Sequence, residues 1–257
     1  WTSTSEEAKA LFDEFLTNIE RRQWDPEIQE ALFDSIAKLD PNFFVPKLFN
    51  NFKDADERRV LVRLAYENKD KVSDLESRFI ESNFERRING SIVKQDQIMD
   101  AIIADYPQYY QLRIWSGDIK NGLDVKASEK RWEEALEINP NSFEANVNLA
   151  FLHFPTGVNF TMLASDDRDL KKAETLLNNA KKILPESSRP SRFLGNVYRA
   201  QSEFEKALAS YKESLEIIKE YETGDQSDPY ANSLLMVGHV YTFQGEYDKA
   251  RNYYDDA

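Results

Sequence analysis

The sequence predicts an all-α solenoid of about six helix pairs, and three observations carry that prediction. First, residues 194–257 hold one unit written twice. Leu194, Gly195, Tyr198, Phe204, Ala207, Tyr211 and Ser214 return as Val237, Gly238, Tyr241, Tyr247, Ala250, Tyr254 and Ala257, each pair 43 positions apart. A fixed period of this length, filled with small and aromatic residues at helical spacing, marks stacked helix pairs. Second, helix-like stretches close repeatedly on proline: IIADYP at 102–107, ALEINP at 135–140 and AKKILP at 180–185. Proline lacks the N–H that would continue a helix. Third, Gly and Pro are few, 8 and 9 in 257 residues, while Glu, Lys, Leu and Ala are abundant. That balance favours helices over sandwiches and linkers.

The elements follow in order. Ser3, Thr4 and Ser5 before Glu6 and Glu7 offer overlapping capping boxes, and Leu11, Phe12, Phe15 and Ile19 recur at helical spacing. Asp25-Pro26 sets a cap followed by proline at the first helical position, a device repeated at Asp228-Pro229. Leu32, Phe33, Ile36 and Leu39 form the next stripe, closed by Pro41. Residues 43–108 are helical by pattern but lack the small–Tyr–Ala signature. Asn141 and Glu144 form a capping pair before the helix that starts near Phe143. That helix is expected to end near Phe154 and the next to start near Asp169, which leaves a long segment between them. Its Phe160, Met162 and Leu163 need cover, so it is expected to fold back onto the body. The run Leu215–Lys219 continues where a proline exit is expected, which predicts a helix about two turns longer than its neighbours, broken at Thr223-Gly224-Asp225.

Composition limits function. With 33 Lys and Arg against 46 Asp and Glu the net charge is −13, which repels nucleic acid and anionic lipid. There is no Cys, hence no disulfide and no thiolate site. No apolar run approaches the roughly 18 residues of a membrane span. No glycine-rich phosphate loop, HExxH or nucleophile elbow occurs, and the two histidines, His153 and His239, have no companion at ligand spacing. His153 is expected to be buried and hydrogen-bonded. Asp166-Asp167-Arg168-Asp169 lacks the Gly and the terminal Glu of a calcium loop and reads as a turn capping the next helix. The sequence therefore calls for no catalytic residue, metal or cofactor.

The order small–Tyr–aromatic–Ala–aromatic in 188–257, and ALFDSIAKLDPN at 31–42, resemble the tetratricopeptide repeat. The resemblance divides the chain into a first helix pair at 1–42, degenerate helical repeats at 43–108, and repeats at 109–142, 143–187 with an inserted loop at 155–168, 188–230 and 231–257. It implies a right-handed superhelix whose first helices line an inner groove that holds extended peptides. On that register Arg189, Arg192, Asn196 and Arg199 face inward, and their spacings of 3, 4 and 3 put them on one stripe. Arg192 and Asn196 are similar to the basic-plus-Asn pair that grips a peptide carboxylate in some family members, but the clamp is incomplete. The corresponding neighbours are Val147, Phe151, Leu235 and His239, so the groove is mixed, with Phe243 also beside it. Tyr110, Arg113 and Lys120 extend it. Two readings of the stripe stay open, a peptide-binding groove and a solvated basic face paired to nearby carboxylates.

The opening WTSTSEEAKALFDEF is similar to secreted or lipid-anchored repeat proteins of Bacteroidetes-type bacteria. That implies a periplasmic or envelope location, with a lipidated Cys upstream; a cytoplasmic location is the alternative. Position 1 is Trp, which points to a processed or trimmed start. The implied function is a non-enzymatic scaffold for a protein or an extended, acidic peptide. The alternative is a helical sensor or regulatory domain of a larger signalling protein. The repeat at 231–257 stops before its proline exit, with Ala257 at an inward small-residue position. The chain is therefore expected to continue, or this end to pack on a partner or a second copy.

Overall fold

A computed structural model describes residues 1–21, 26–50, 53–155, 162–222 and 228–257. Among these there are thirteen α-helices and no strand. The chain forms two compact units, Trp1–Leu123 and Asp124–Ala257. The boundary falls within the 109–142 segment.

The first unit contains α1 (Glu6–Arg21), α2 (Pro26–Leu39), α3 (Ala55–Glu67), α4 (Asp74–Arg87), α5 (Ile92–Asp105) and α6 (Tyr110–Asn121). Its core is aromatic. Phe15 meets Phe33 at 4.6 Å, Phe12 meets Phe43 at 5.4 Å, and Trp115 meets Phe79 at 5.1 Å. Edge-on and tilted rings of this kind bury large apolar areas with favourable quadrupole geometry. Ser5 caps α1 by accepting from the Ala8 N–H at 3.1 Å. Residues 2–4 run onto two buried carboxylates. Thr2 N–H donates to Glu76 at 2.7 Å, and the Ser3 hydroxyl and Thr4 N–H donate to Asp40 at 2.7 and 2.9 Å. These bonds pull both carboxyls below their ordinary pKa against the burial that opposes them.

The second unit contains α7 (Val125–Ile138), α8 (Phe143–Phe151), α9 (Leu170–Ile183), α10 (Ser188–Ala200), α11 (Phe204–Tyr221), α12 (Asp228–Phe243) and α13 (Tyr247–Asp255). The proline exits work alike in both units. α2, α5, α7 and α9 each end two residues before their proline. In each, the first residue past the helix bonds back into it: Asp40 to Ile36, Tyr106 to Ile102, Asn139 to Ala135 and Leu184 to Ala180. The residue before proline is then driven out of the helical region by the ring.

The 43-residue period is equally visible in three dimensions. A Cβ on Gly195 would lie 2.4 Å from the Tyr211 ring, and one on Gly238 2.4 Å from the Tyr254 ring. The turns after α10 and α12 repeat the same backbone bonds, Glu203 to Tyr198 and Glu246 to Tyr241. Both turn at a residue with positive φ, Ser202 at 62° and Gly245 at 77°. Glu203 pairs with Lys206 and Glu246 with Lys249, and each lysine lies over a tyrosine, Tyr198 at 5.3 Å and Tyr241 at 5.4 Å.

Several expectations are corrected. The cap before α8 is Ser142, which accepts from Ala145 at 3.2 Å; Asn141 instead donates its backbone N–H to the Asn139 side chain. α8 stops at Phe151, and Leu152 to Phe154 turn away from it into the core. α11, at 18 residues against 14 in α9, is longer by about one turn, not two. Ala257 lies exposed beyond the end of α13, whereas its counterpart Ser214 is fully buried. The segment before α9 does fold back: Leu163 is buried, and Arg168 donates from Nε to its carbonyl at 2.9 Å. Phe160, Asp25 and the Thr223–Asp225 break lie outside the described residues. His153 is buried as expected, and Asp169 caps α9 by accepting from Lys171 and Lys172 at 2.9 Å each.

Candidate peptide-binding groove

α10 positions the candidate site. Pro190 and the small residues Ser188, Ser191 and Gly195 lie on its buried side with Phe193, Leu194 and Val197. The remaining stripe carries Arg189, Arg192, Asn196 and Arg199. Arg189 and Arg192 both lie over the Phe193 ring, at 5.3 Å each. Cation–π contact of this kind steadies a guanidinium without neutralising it. Burial lowers the Arg192 pKa, while Glu222 and Tyr211 act in the opposite sense. Its Nε is shielded from solvent and has no hydrogen-bond partner among the described residues. Glu222 itself is held at the start of α10, accepting from Ser188 N–H and hydroxyl at 2.9 and 3.0 Å.

Asn196 is buried and accepts a 2.7 Å hydrogen bond at Oδ1 from the Tyr211 hydroxyl. Tyr211 comes from α11 and is fully buried. Burial pushes its pKa well above the ordinary phenol value, opposed by the charges of Arg199 and Arg192, so the hydroxyl stays protonated. On α12, His239 stands edge-on to Tyr254 at 5.7 Å. Its pKa is lowered, first by burial and then by the charge of Arg199. Arg192, Asn196, Arg199, Tyr211 and His239 are thus linked by contact or charge across three helices.

The other residues assigned to the groove differ in their surroundings. Val147 is buried in the core and lines no surface. Phe151 packs against Phe154 at 5.6 Å and Phe193 at 5.4 Å, so it supports the stripe from inside. Leu235 is exposed, and exposed Phe243 stacks on Phe204 at 6.1 Å. Tyr110, Arg113 and Lys120 belong to the first unit and are engaged there. Tyr110 donates to Glu20 at 2.8 Å, and Arg113 to the Pro107 carbonyl at 2.7 Å. Lys120 donates to Asp96 at 2.7 Å and to Asp100 at 3.0 Å, which corrects its assignment to the groove.

The sequence did not single out Tyr211. The available signal was chemical: a tyrosine at a core position 43 residues before another must find a partner for its hydroxyl. Among the described residues no group of three or more acidic, His or Cys side chains could hold a metal, and no helix is long and apolar enough to cross a membrane.

Residues 186–257 match the tetratricopeptide repeat family. No curated protein matches the chain. Among solved structures, it is similar to MamA from Desulfovibrio magneticus RS-1, at 14% identity over 71% of this chain and 93% of that one, with a TM-score of 0.57. It is similar to PilW, a widely conserved type IV pilus biogenesis factor, at 14% identity over 82% of this chain and 89% of that one, with a TM-score of 0.61. It is also similar to a chain of the APC/C hetero-tetramer Cut9–Hcn1, at 14% identity over 95% of this chain and 44% of that one, with a TM-score of 0.63. At this identity the likeness concerns the fold. The described residues are all-α with a tetratricopeptide-like solenoid fold, and the match to the tetratricopeptide repeat family covers residues 186–257.

Proposed function

We propose that the protein is a non-enzymatic scaffold that holds an extended, acidic segment of a protein partner along the stripe on α10, with His239 and Leu235 of α12 beside it. One observation carries this reading. Arg192 and Arg199 act on a buried Tyr211–Asn196 pair, yet neither forms an ion pair among the described residues, in a chain of net charge −13. A solvated basic face would have drawn in neighbouring carboxylates. Lys172 and Lys181 show the contrast: Lys172 meets Glu129 at 2.8 Å and Lys181 meets Glu213 at 2.5 Å. The tetratricopeptide resemblance supports the same surface, because the family's first helices line its peptide groove. A cell-envelope location is part of the proposal and rests on the likeness of the first residues; fractionation of the native cells tests it.

The test is charge reversal. Partners are captured from native extract on the wild-type chain and identified by mass spectrometry, and affinity is then measured for Arg192→Glu/Arg199→Glu. The double reversal is expected to weaken binding by tenfold or more on the order expected for charge-assisted contacts, and wild-type affinity to fall with salt. Unchanged affinity would remove the groove as the site.

A further inference from the structure

We propose that Asn89 is a site of spontaneous chemical modification: the backbone nitrogen of Gly90 attacks its side chain, and the residue converts to aspartate and isoaspartate at the exit of α4. The chain has two Asn-Gly pairs, Asn89-Gly90 and Asn121-Gly122. Asparagine before glycine is chemically labile, because glycine has no Cβ to hinder attack by its own nitrogen. The fold treats the two pairs in opposite ways.

Asn89 and Gly90 lie exposed in the turn between α4 and α5. The turn is anchored on either side. Asn89 N–H donates to the Phe84 carbonyl at 3.4 Å, and Ser91 N–H to the Glu85 carbonyl at 2.9 Å. The Ser91 hydroxyl caps α5 by accepting from the Lys94 N–H at 3.2 Å. Between these anchors the Gly90 N–H and the Asn89 carboxamide make no hydrogen bond among the described residues. Gly90 holds φ at 71°, and nothing lies within 4 Å of the place its Cβ would take. Nucleophile and carbonyl are thus adjacent, unpartnered and uncrowded, and an intramolecular attack gains most from such proximity.

Charge acts in the same direction. Arg86 and Arg87 close α4 just ahead of the turn, while Glu85 pairs with Lys94 at 3.6 Å. Burial, and then the charges of Arg58 and Arg86, lower the Arg87 pKa, and no carboxylate acts against them. Positive charge of this kind favours both loss of the Gly90 proton and the oxyanion that follows. Asn121, by contrast, is the last residue of α6. The Gly122 N–H is spent on the Ile119 carbonyl at 3.3 Å, and the Leu123 N–H on the Lys120 carbonyl at 2.8 Å. A Cβ on Gly122 would lie 3.4 Å from Ile92 Cδ1, so this pair sits against α5. Attack there must first break the Gly122 bond.

The step needs water alone. The Gly90 nitrogen gives its proton to water and bonds to Asn89 Cγ. The bond from Cγ to Nδ2 breaks, and the nitrogen leaves as ammonia, which closes a cyclic imide. Water then opens the ring. Opening at Cγ leaves aspartate and the original main chain. Opening at the main-chain carbonyl leaves isoaspartate, with the chain rerouted through Cβ. Either product sets a carboxylate beside Arg86 and Arg87.

The experiment uses the freshly prepared whole chain, incubated at neutral pH both folded and in guanidinium chloride. Samples are digested at intervals, and both Asn-Gly peptides are followed by mass spectrometry, with isoaspartate told from aspartate by electron-transfer fragmentation. In the folded chain Asn89 is expected to convert, isoaspartate included, about tenfold or more faster than Asn121, which must wait for local opening. In guanidinium chloride the two should convert at similar rates. Gly90→Ala, checked for an intact fold by circular dichroism, should slow conversion at Asn89 severalfold. Equal rates at the two asparagines in the folded chain, or conversion of Asn89 only after unfolding, overturns the proposal. A gap that persists in guanidinium chloride traces to the neighbouring residues and overturns the role of the turn. Aspartate without isoaspartate, or an unchanged rate in Gly90→Ala, means direct hydrolysis of the carboxamide and overturns the role of Gly90.

Discussion

A methyl group on Gly195 would sit 2.4 Å from the buried ring of Tyr211, so Gly195→Ala forces ring or helix to move. Overpacking of this kind costs about 1–3 kcal/mol. Gly238→Ala meets the same geometry at Tyr254, but that ring is 37% exposed and can swing outward. The Gly195 variant should therefore lose clearly more melting temperature than the Gly238 variant; equal losses would contradict the difference in confinement. Ser202 gives a change of opposite sign. It holds φ at 62°, where its counterpart 43 residues on is Gly245. Left-handed backbone strains any residue with a Cβ, so Ser202→Gly should stabilise by about 0.5–1 kcal/mol in thermal melts. At this scale the sequence disclosed which residues were small and which aromatic, through the fixed offset. It did not disclose which ring met which glycine, because that depends on how two helices cross. For the same reason the bonds of Lys120 to Asp96 and Asp100 were not legible.

Among the elements, the entry of α9 is sensitive to mild acid. His153 accepts the Asp169 N–H at Nδ1, at 3.2 Å, so the neutral ring carries its proton on Nε2, 3.2 Å from Glu129 Oε1. Its pKa is lowered, first by burial and then by the charge of Lys172, against the carboxylates of Glu129, Asp169 and Glu133. The folded state thus binds fewer protons here than the unfolded chain. This contribution is complete above the ordinary imidazole pKa of about 6.5 and is lost as the pH falls below it. Melting temperature should therefore drop between neutral and mildly acidic pH, and His153→Gln should flatten that drop. The slope left in the variant belongs to His239, whose pKa is also lowered. An identical slope in both proteins would exclude His153 as a source. Helix ends were largely legible: four proline exits and the Asp169 cap follow from residue type alone. The displaced cap at Ser142 and the modest length of α11 were not, since several polar residues compete at the first and the second ends at Tyr221, ahead of the break expected at Thr223-Gly224-Asp225.

For the molecule as a whole, the charge is uneven: a chain of net charge −13 concentrates three arginines along α10. A second feature is apolar. Phe243 and Tyr247 are 65% and 67% exposed at the turn from α12 to α13, whereas Phe204, the counterpart of Tyr247, is partly buried against the core of its own unit. Exposed aromatics of this size favour association. Sedimentation at rising concentration is expected to show self-association, reduced by Phe243→Ser/Tyr247→Ser. A monomer at every concentration would contradict this. The all-α architecture was legible from periodicity. The division into two units was not, because the 109–142 segment reads as continuous helix-pair sequence across the boundary at Leu123.

The bonds of residues 2–4 have a mechanical consequence. Thr2 is held by Glu76 of α4, and Ser3 and Thr4 by Asp40 just past α2. Tension applied at Trp1 therefore loads α4 and the α2 exit along with α1, whose Asp13 accepts from the Trp1 indole. A helix pulled from its own end unzips one turn at a time, at low force. Here bonds to several elements hold the segment that leads into α1, so the start of the chain is tied to elements that lie far along it.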